Sequence, residues 1–239
     1  MDGSNGPLVV LIHGTLDRMS GMARLARIVA AEHSVLRFDR RGYGDSWDHP
    51  GPFTVAGNVD DVVALVGRRD AVLVGHSFGG NVALAAAARL GGQCAGVSVY
   101  ETPVSWNSWW PTTSAGGRGI AAGPEMAAES FMVALIGEDG WRRLPERTKD
   151  ARRREGRALV EELGTLRLGA PWTAELITCR VLVGRGSRAS AHHVRGAEWI
   201  AESCGTTDPV VIDGAGHGAH MSHPAEFHRM LVAPHFRID

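Results

Sequence analysis

The stretch Val72-Leu73-Val74-Gly75-His76-Ser77-Phe78-Gly79-Gly80 constrains this chain more than any other. An apolar, β-branched run leads into Gly-x-Ser-x-Gly, and the alanine-rich segment from Asn81 to Ala88 follows. That order reads as a buried strand, a tight turn carrying Ser77, and a helix. In such a turn the serine occupies a strained strand-to-helix junction, and small flanking residues leave room for it. The hydroxyl rises above the sheet edge, and the first turn of the helix aims unpaired N–H groups at the same point. These are the ingredients for attack on a carbonyl and for stabilising an oxyanion. The bare pattern also arises as an ordinary glycine turn; the strand before it and the helix after it favour an activated serine.

The rest of the chain alternates in the same way. Strands are predicted at Leu8–Ile12, Ser34–Phe38, Ala71–Val74, Gly96–Tyr100, Val181–Val183 and Val210–Ile212. Their continuous apolar runs suit strands buried on both faces of a parallel sheet. Helices are predicted over Met19–Ala31, Val55–Val66 and Pro224–Val232, the last with proline in its first turn. The fold class is therefore α/β, a doubly wound, mostly parallel sheet of about six strands. Ligands bind such sheets outside the carboxyl ends of the strands. Ser77, Glu101, His217, His13 and Gly14 all fall just after a strand.

Between residues 103 and 170 the strand rhythm stops. This span holds Trp106, Trp109, Trp110, Trp141 and an arginine-rich stretch, and it is too long for a structureless loop. It is read as a helical lid over the carboxyl edge. Residues 1–102 and 171–239 would form the core, and Pro/Gly clusters at Pro111–Gly119 and Gly164–Pro171 would mark the connections. Trp106, Trp109 and Trp110 either line an apolar pocket or form the lid's own core, and Trp141 is assigned to that core. Acids interleave with the arginines from Arg142 to Arg167, with Asp150–Arg154 and Arg157–Glu161 at i,i+4 spacing. A solvated helix is favoured there over an anion site or a nucleic-acid surface.

Composition narrows the partners. A chain of 239 residues with formal net charge −1 gives no sign of a polyanion or membrane-surface partner. The run Leu8–Ile12 is too short for a signal core or a membrane span. Three scattered cysteines and no Cys-x-x-Cys pair support neither zinc nor a disulfide framework, as in a reduced cytoplasmic protein. His192-His193 lacks a neighbouring ligand pattern and reads as a helix start. A small molecule is the expected partner, with no metal or cofactor. The oligomeric state stays open, a homodimer among the options.

A serine hydroxyl needs a base at neutral pH. His217, in the glycine-bracketed turn Gly214-Ala215-Gly216-His217-Gly218, is the first candidate, with His220 as the alternative. His76 should point away from the hydroxyl. The base needs a carboxylate to hold its tautomer. No Asp or Glu follows Val181–Val183 until Glu198, whereas Glu101 ends the strand after the one bearing Ser77. Glu101 is the assigned acid, against a dyad in which water or Ser187 orients His217; Asp213 is assigned a structural role. Oxyanion donors are expected from the backbone N–H groups of Phe78 and Thr15. The hydroxyl of Thr15 is expected chiefly to solvate its loop, and His13 to support it.

His13-Gly14, Asp39-Arg40-Arg41-Gly42-Tyr43-Gly44-Asp45-Ser46, Gly75-His76-Ser77-Phe78-Gly79-Gly80 and Gly214-Ala215-Gly216-His217 resemble successive signposts of the α/β-hydrolase superfamily. Tyr100-Glu101-Thr102-Pro103 is similar to the Tyr-Glu-Pro-Pro-like junction of a largely uncharacterised bacterial branch. The resemblance covers essentially the whole chain, is highly specific for fold and mechanism class and weakly specific for substrate; the leading reading is a cofactor-independent serine hydrolase acting on a small ester, thioester or lactone. Some superfamily members, haloalkane dehalogenases among them, place the acid at the strand end of Glu101. The sequence departs from the pattern in lacking an acid after the penultimate strand and in starting almost on the strand before His13. The N-terminal strands of the superfamily are thus expected to be missing. Ser77 in place of aspartate argues against dehalogenase chemistry. Carbon–carbon bond hydrolysis by the same residues, or a catalytically weak ligand-binding relative, are the alternatives. His13, Gly14, Trp106, Trp109 and Trp110 complete the residues expected to meet the substrate.

Overall fold

The computed structural model describes residues 6–114, 122–206 and 208–237. Among the described residues there are six strands: β1 (Leu8–Ile12), β2 (Val35–Arg37), β3 (Ala71–His76), β4 (Cys94–Tyr100), β5 (Val181–Gly186) and β6 (Val210–Ile212). They form one sheet in the order β2-β1-β3-β4-β5-β6, with every pairing parallel. This is the expected doubly wound sheet. β1 and β3 are buried along their whole length, which is why their sequences are continuous apolar runs without alternation. The winding reverses between β1 and β3, so the loops leaving these two strands part at the carboxyl edge and open a crevice there.

Helices cover both faces. On one side lie α2 (Val55–Val66), α3 (Phe78–Leu90) and α7 (Ala191–Ser203), sharing a core with Val10, Leu73 and Val97. On the other lie α1 (Ala23–Val29) and the short α8 (Ala219–Ser222) and α9 (Pro224–Phe227), packed on Val9, Leu11 and Val72. Helix α2 starts where the Thr54 hydroxyl accepts the Gly57 N–H at 3.1 Å. Helix α1 is shorter than Met19–Ala31, because the Met19 N–H is taken by the Asp39 carboxylate at 2.7 Å. The C-terminal helix is α-helical only to Phe227 and continues as a π-turn over His228–Val232.

Between β4 and β5 the chain forms α4 (Pro124–Arg143), α5 (Glu146–Arg154) and α6 (Gly156–Leu166). Helix α4 is interrupted at Gly137, whose φ of 76° belongs to the left-handed region. Among the described residues of the span expected to be helical from 103, the first α-helix begins at Pro124. Val104 and Trp110 belong instead to the core beside α7. Of the Pro/Gly cluster at Pro111–Gly119, the part from 115 onward lies outside the described residues. Trp141 is buried, in a third core where Phe131 and Leu163 of these helices meet Leu16, Tyr43 and Phe53 of the sheet loops.

The acids of this stretch are not all solvated. Glu162 is fully buried and paired with the equally buried Arg40. It also accepts from the Tyr43 hydroxyl at 2.7 Å and the Thr15 hydroxyl at 3.0 Å. Glu155 is buried too, paired with Arg18 at 2.6 Å. The expected i,i+4 pairs do not form. Arg154 lies 4.9 Å over the Trp47 ring, and Arg157 donates to the His49 carbonyl at 2.9 Å. The physical reason is spacing: Glu155, Ala158, Leu159, Glu162, Leu163 and Leu166 share the buried face of α6, so two carboxylates go inside with the leucines.

Breaking the buried pair from one side leaves Arg40 charged and unpartnered. Glu162→Ala should cost about 3–5 kcal/mol by urea unfolding, and the double variant Arg40→Met/Glu162→Leu should regain much of that. A loss below about 1 kcal/mol in the single variant would show that the pair does not hold these helices.

Candidate active site

Ser77 sits at the junction of β3 and α3 with φ 54° and ψ −126°. Its N–H donates to the Tyr100 carbonyl at 2.9 Å, extending the β3–β4 ladder by one residue before the chain turns. The turn needs its glycines. A Cβ on Gly75 would lie 2.3 Å from the Gly79 carbonyl oxygen, and one on Gly79 would lie 2.3 Å from that of Ile12. Three non-glycine residues have positive φ among those described: Leu16, Ser77 and Glu101. All three follow the carboxyl ends of adjacent strands. Strain of this kind persists only where surrounding structure holds it, and it marks the crevice as a site.

Glu101 is 1% exposed, and its N–H continues the β4–β5 ladder to the Gly184 carbonyl at 3.0 Å. One carboxylate oxygen accepts the Gly186 N–H at 3.0 Å. The other lies 2.8 Å from Nδ1 of His217. A carboxylate only accepts, so Nδ1 carries the proton and Nε2 of a neutral His217 is left with its lone pair. The His217 turn is pinned from behind by two donors. Nε2 of His76 donates to the His217 carbonyl at 2.8 Å, and the Tyr100 hydroxyl donates to the Gly216 carbonyl at 2.9 Å. His193 stacks on His217 with ring centroids 4.8 Å apart, and its Nδ1 lies 3.6 Å from the same Glu101 oxygen. Burial, and then the neighbouring His217, pushes the pKa of His193 well below the ordinary imidazole range.

Ser77, Glu101 and His217 border one cavity of about 300 Å³, together with Thr15 and Phe78. Apolar walls come from Phe131, Leu135, Leu163 and Trp110. A serine hydroxyl, an imidazole with a free lone pair and a carboxylate behind it are the groups that acyl transfer requires.

Other expected residues fall elsewhere. Nε2 of His13 accepts the Arg40 N–H at 2.9 Å and Nδ1 donates to the Gly14 carbonyl at 2.8 Å, so the ring is walled into the protein. Burial, and then the Arg40 charge, lowers its pKa to about 3. His13 braces the loop and does not border the cavity. Gly14 backs onto Ser77, where a Cβ would lie 2.9 Å from that of Ser77. Trp106 packs edge-on against Trp172 and Trp199, and Trp109 lies beneath Arg195 at 4.3 Å; of the three tryptophans only Trp110 borders the cavity. The Thr15 hydroxyl is bonded to Glu162 instead of solvating its loop. His220 is buried behind His76, with Nε2 3.3 Å from Asp17 Oδ2, and does not border the cavity. Ser187 bonds Asp213 at 3.1 Å and accepts the Gly214 N–H at 2.8 Å, which leaves Glu101 as the group on His217.

Among the described residues, cation-ligand atoms converge within 4.8 Å in three groups: Asp17/His76/His220, Glu32/His33/His228 and Glu101/His193/His217. In the last, the closest two atoms are already bonded to each other. Sequence reasoning missed Glu162, His193 and the bracing role of His76. Only Glu162 left a signal, its helical spacing with Ala158, Leu159 and Leu166.

Residues 9–230 match the model of the alpha/beta hydrolase family. The chain is an enzyme of that family. An esterase from Thermogutta terrifontis, solved with malate bound, superposes with a TM-score of 0.72 at 25% identity, covering 94% of this chain and 87% of that one. The enol-lactonase from Burkholderia xenovorans LB400 superposes with a TM-score of 0.69 at 22% identity, over 98% and 93%. A candidate esterase/lipase of Haemophilus influenzae is 31% identical over 83 residues, so the matched part spans 34% of this chain and 29% of that protein. No helix among the described residues is long and apolar enough to cross a membrane.

The buried neutral histidines set a pH dependence. His13 stays neutral in the fold down to about 3, against 6.5 ordinarily. Below 6.5 the unfolded chain binds a proton that the folded chain refuses, so stability present above 6.5 is lost as pH falls. For His13 alone the loss is about 1.4 kcal/mol per pH unit across that window. His76 and His193, also lowered by burial, add in the same sense. Unfolding free energy by urea should therefore drop by more than about 1.4 kcal/mol between about pH 7 and about pH 5. A flat profile would contradict the neutral burial.

Proposed function

We propose that this enzyme hydrolyses a small carboxylic ester, thioester or lactone through an acyl-enzyme on Ser77. The observation that carries the reading is the 2.8 Å contact of Glu101 with Nδ1 of His217, at a cavity that Ser77 also borders. His217 takes the Ser77 proton as the oxygen attacks the carbonyl carbon, and it returns the proton to the leaving alcohol or thiol. Glu101 fixes the tautomer and stabilises the imidazolium. The backbone N–H groups of Phe78 and Thr15 hold the oxyanion. Water activated by His217 then cleaves the acyl-enzyme and releases the acid.

The helices between β4 and β5 act as a lid. Their apolar residues Phe131, Leu135 and Leu163, on the cavity wall, favour a modest apolar acyl or alcohol group over a polymer. The esterase, lactonase and esterase/lipase relatives add support for ester or lactone cleavage as the reaction class.

The test is labelling by a fluorophosphonate probe, with turnover of short p-nitrophenyl esters. Wild type should label, and Ser77→Ala should lose both labelling and turnover. Glu101→Gln should keep its fold and lose about 10²–10⁴-fold in kcat. Absence of labelling in the wild type would sink the reading, and full activity in Glu101→Gln would remove Glu101 from it.

A further inference from the structure

The cavity beside Ser77 is unbalanced in charge. Among the described residues Glu101 is the one carboxylate on its wall, and that group is already engaged by His217 and the Gly186 N–H. Two arginines border the same cavity, the half-buried Arg167 and the exposed Arg188. Among the described residues neither side chain makes an ion pair or a hydrogen bond. Arg143 and Arg147 of the same helical stretch are likewise without partners but do not border the cavity, whereas others are held. Arg142, Arg152 and Arg153 are each bound by a carboxylate, and Arg157 by a carbonyl.

Each arginine is set there by structure. Arg167 follows α6 and lies four residues after Leu163, so it extends the cavity-facing side of that helix past its apolar part. Arg188 lies in the loop after β5, whose backbone is fixed where the Arg188 N–H donates to the Ala215 carbonyl at 2.9 Å. A further polar group is in reserve: Ser105, on the cavity wall, has a buried hydroxyl without a partner.

We propose that the substrate carries a carboxylate at the end of a short apolar chain, and that Arg167 and Arg188 hold that carboxylate while the ester lies at Ser77. This inference rests on the hydrolase reading for its chemistry and on the cavity for its charge. Apolar walls next to two free guanidinium groups match a half-ester of a dicarboxylic acid. The neutral part meets Phe131, Leu135 and Leu163, and the anion meets planar donors suited to it. In the reaction Ser77 Oγ bonds to the ester carbon, the C–O bond to the alcohol breaks, and the alcohol leaves with the proton from His217. Water then releases the diacid, and the held carboxylate takes no part in bond changes.

The experiment compares monoethyl adipate with ethyl hexanoate, which share chain length and differ in the terminal charge. Turnover is followed for the wild type, Arg167→Met, Arg188→Met and the double variant, with circular dichroism to check folding. Binding of both esters to Ser77→Ala, with and without the arginine substitutions, is measured by calorimetry. The wild type should favour the half-ester by about 10-fold or more in kcat/KM, a discounted figure for partly exposed charges. That ratio should fall towards 1 in the double variant and fall with added salt. A wild-type ratio at or below 1, or a ratio the arginine substitutions leave unchanged, overturns the proposal. Should neither ester be turned over while Ser77→Ala still prefers the half-ester through its arginines, the anion site stands and the hydrolase reading falls. Equal binding of the two esters overturns the anion site whatever the turnover.

Discussion

The buried pair of Arg40 and Glu162 holds together the two parts of the molecule that enclose the cavity. Taking both charges out of water costs several kcal/mol each, so the pair survives only because its lone pairs and protons are used. Glu162 receives Arg40, Tyr43 and Thr15, while Arg40 also donates to the His13 carbonyl at 2.8 Å and to Asn58 at 3.1 Å. These bonds are directional. They fix α6 against the loops leaving β1 and β2 in one arrangement, which apolar contact alone would not do. Thr15 is set beside Ser77 by the same carboxylate that anchors the helices, so the roof of the cavity and its floor are positioned together.

The sheet supplies the remaining order. Ser77 and Glu101 each take the next ladder bond after their strand, to the Tyr100 and Gly184 carbonyls, and only then does the backbone enter its strained conformation. Hydrogen bonding of the parallel ladder thus places two side chains on neighbouring strand ends. With the carboxylate on β4, the loop after β5 has no acid to present. It gives Arg188, Ala189 and Ser190 to the cavity wall, and α7 starts there with His192 and His193. The wall contributed by the β5 loop and the start of α7 is thus cationic and imidazole-rich.

Much of this was legible in the sequence, for physical reasons. Strands buried on both faces are continuous apolar runs, and all six appear within a few residues of their predicted places. The Gly-x-Ser-x-Gly turn has few sequences able to make it, because the Gly75 and Gly79 positions tolerate no Cβ. With no acid after β5, the place of Glu101 at the end of the strand following the one bearing Ser77, and the chain order Ser77, Glu101, His217, made it the assigned partner of His217, against a dyad. The tryptophans were harder to place. Trp106, Trp109 and Trp110 are neighbours in sequence, yet one packs on Trp199, one under Arg195 and one on the cavity. An indole buries its apolar face in any of these settings, so composition does not separate them. Glu155 and Glu162 were hidden by the arginines around them, whose charge suggested a solvated helix; the apolar spacing of α6 carried the contrary signal.

Electrostatics within the cavity follow from which groups burial keeps neutral. His76 and His193 both surround His217, and burial holds each well below its ordinary pKa. Neither adds positive charge beside the ring. A proton arriving on His217 therefore meets the Glu101 carboxylate at 2.8 Å with no cationic imidazole competing for it. Were these histidines charged, each would raise the cost of a third positive ring in the same space. The uncharged cluster thus leaves Glu101 as the dominant partner of His217 and Arg167 and Arg188 as the cations among the described residues of the cavity wall. The same cavity wall also carries the apolar residues Phe131, Leu135 and Leu163 and the two arginines, so proton handling at His217 and the charge of Arg167 and Arg188 belong to one enclosed space.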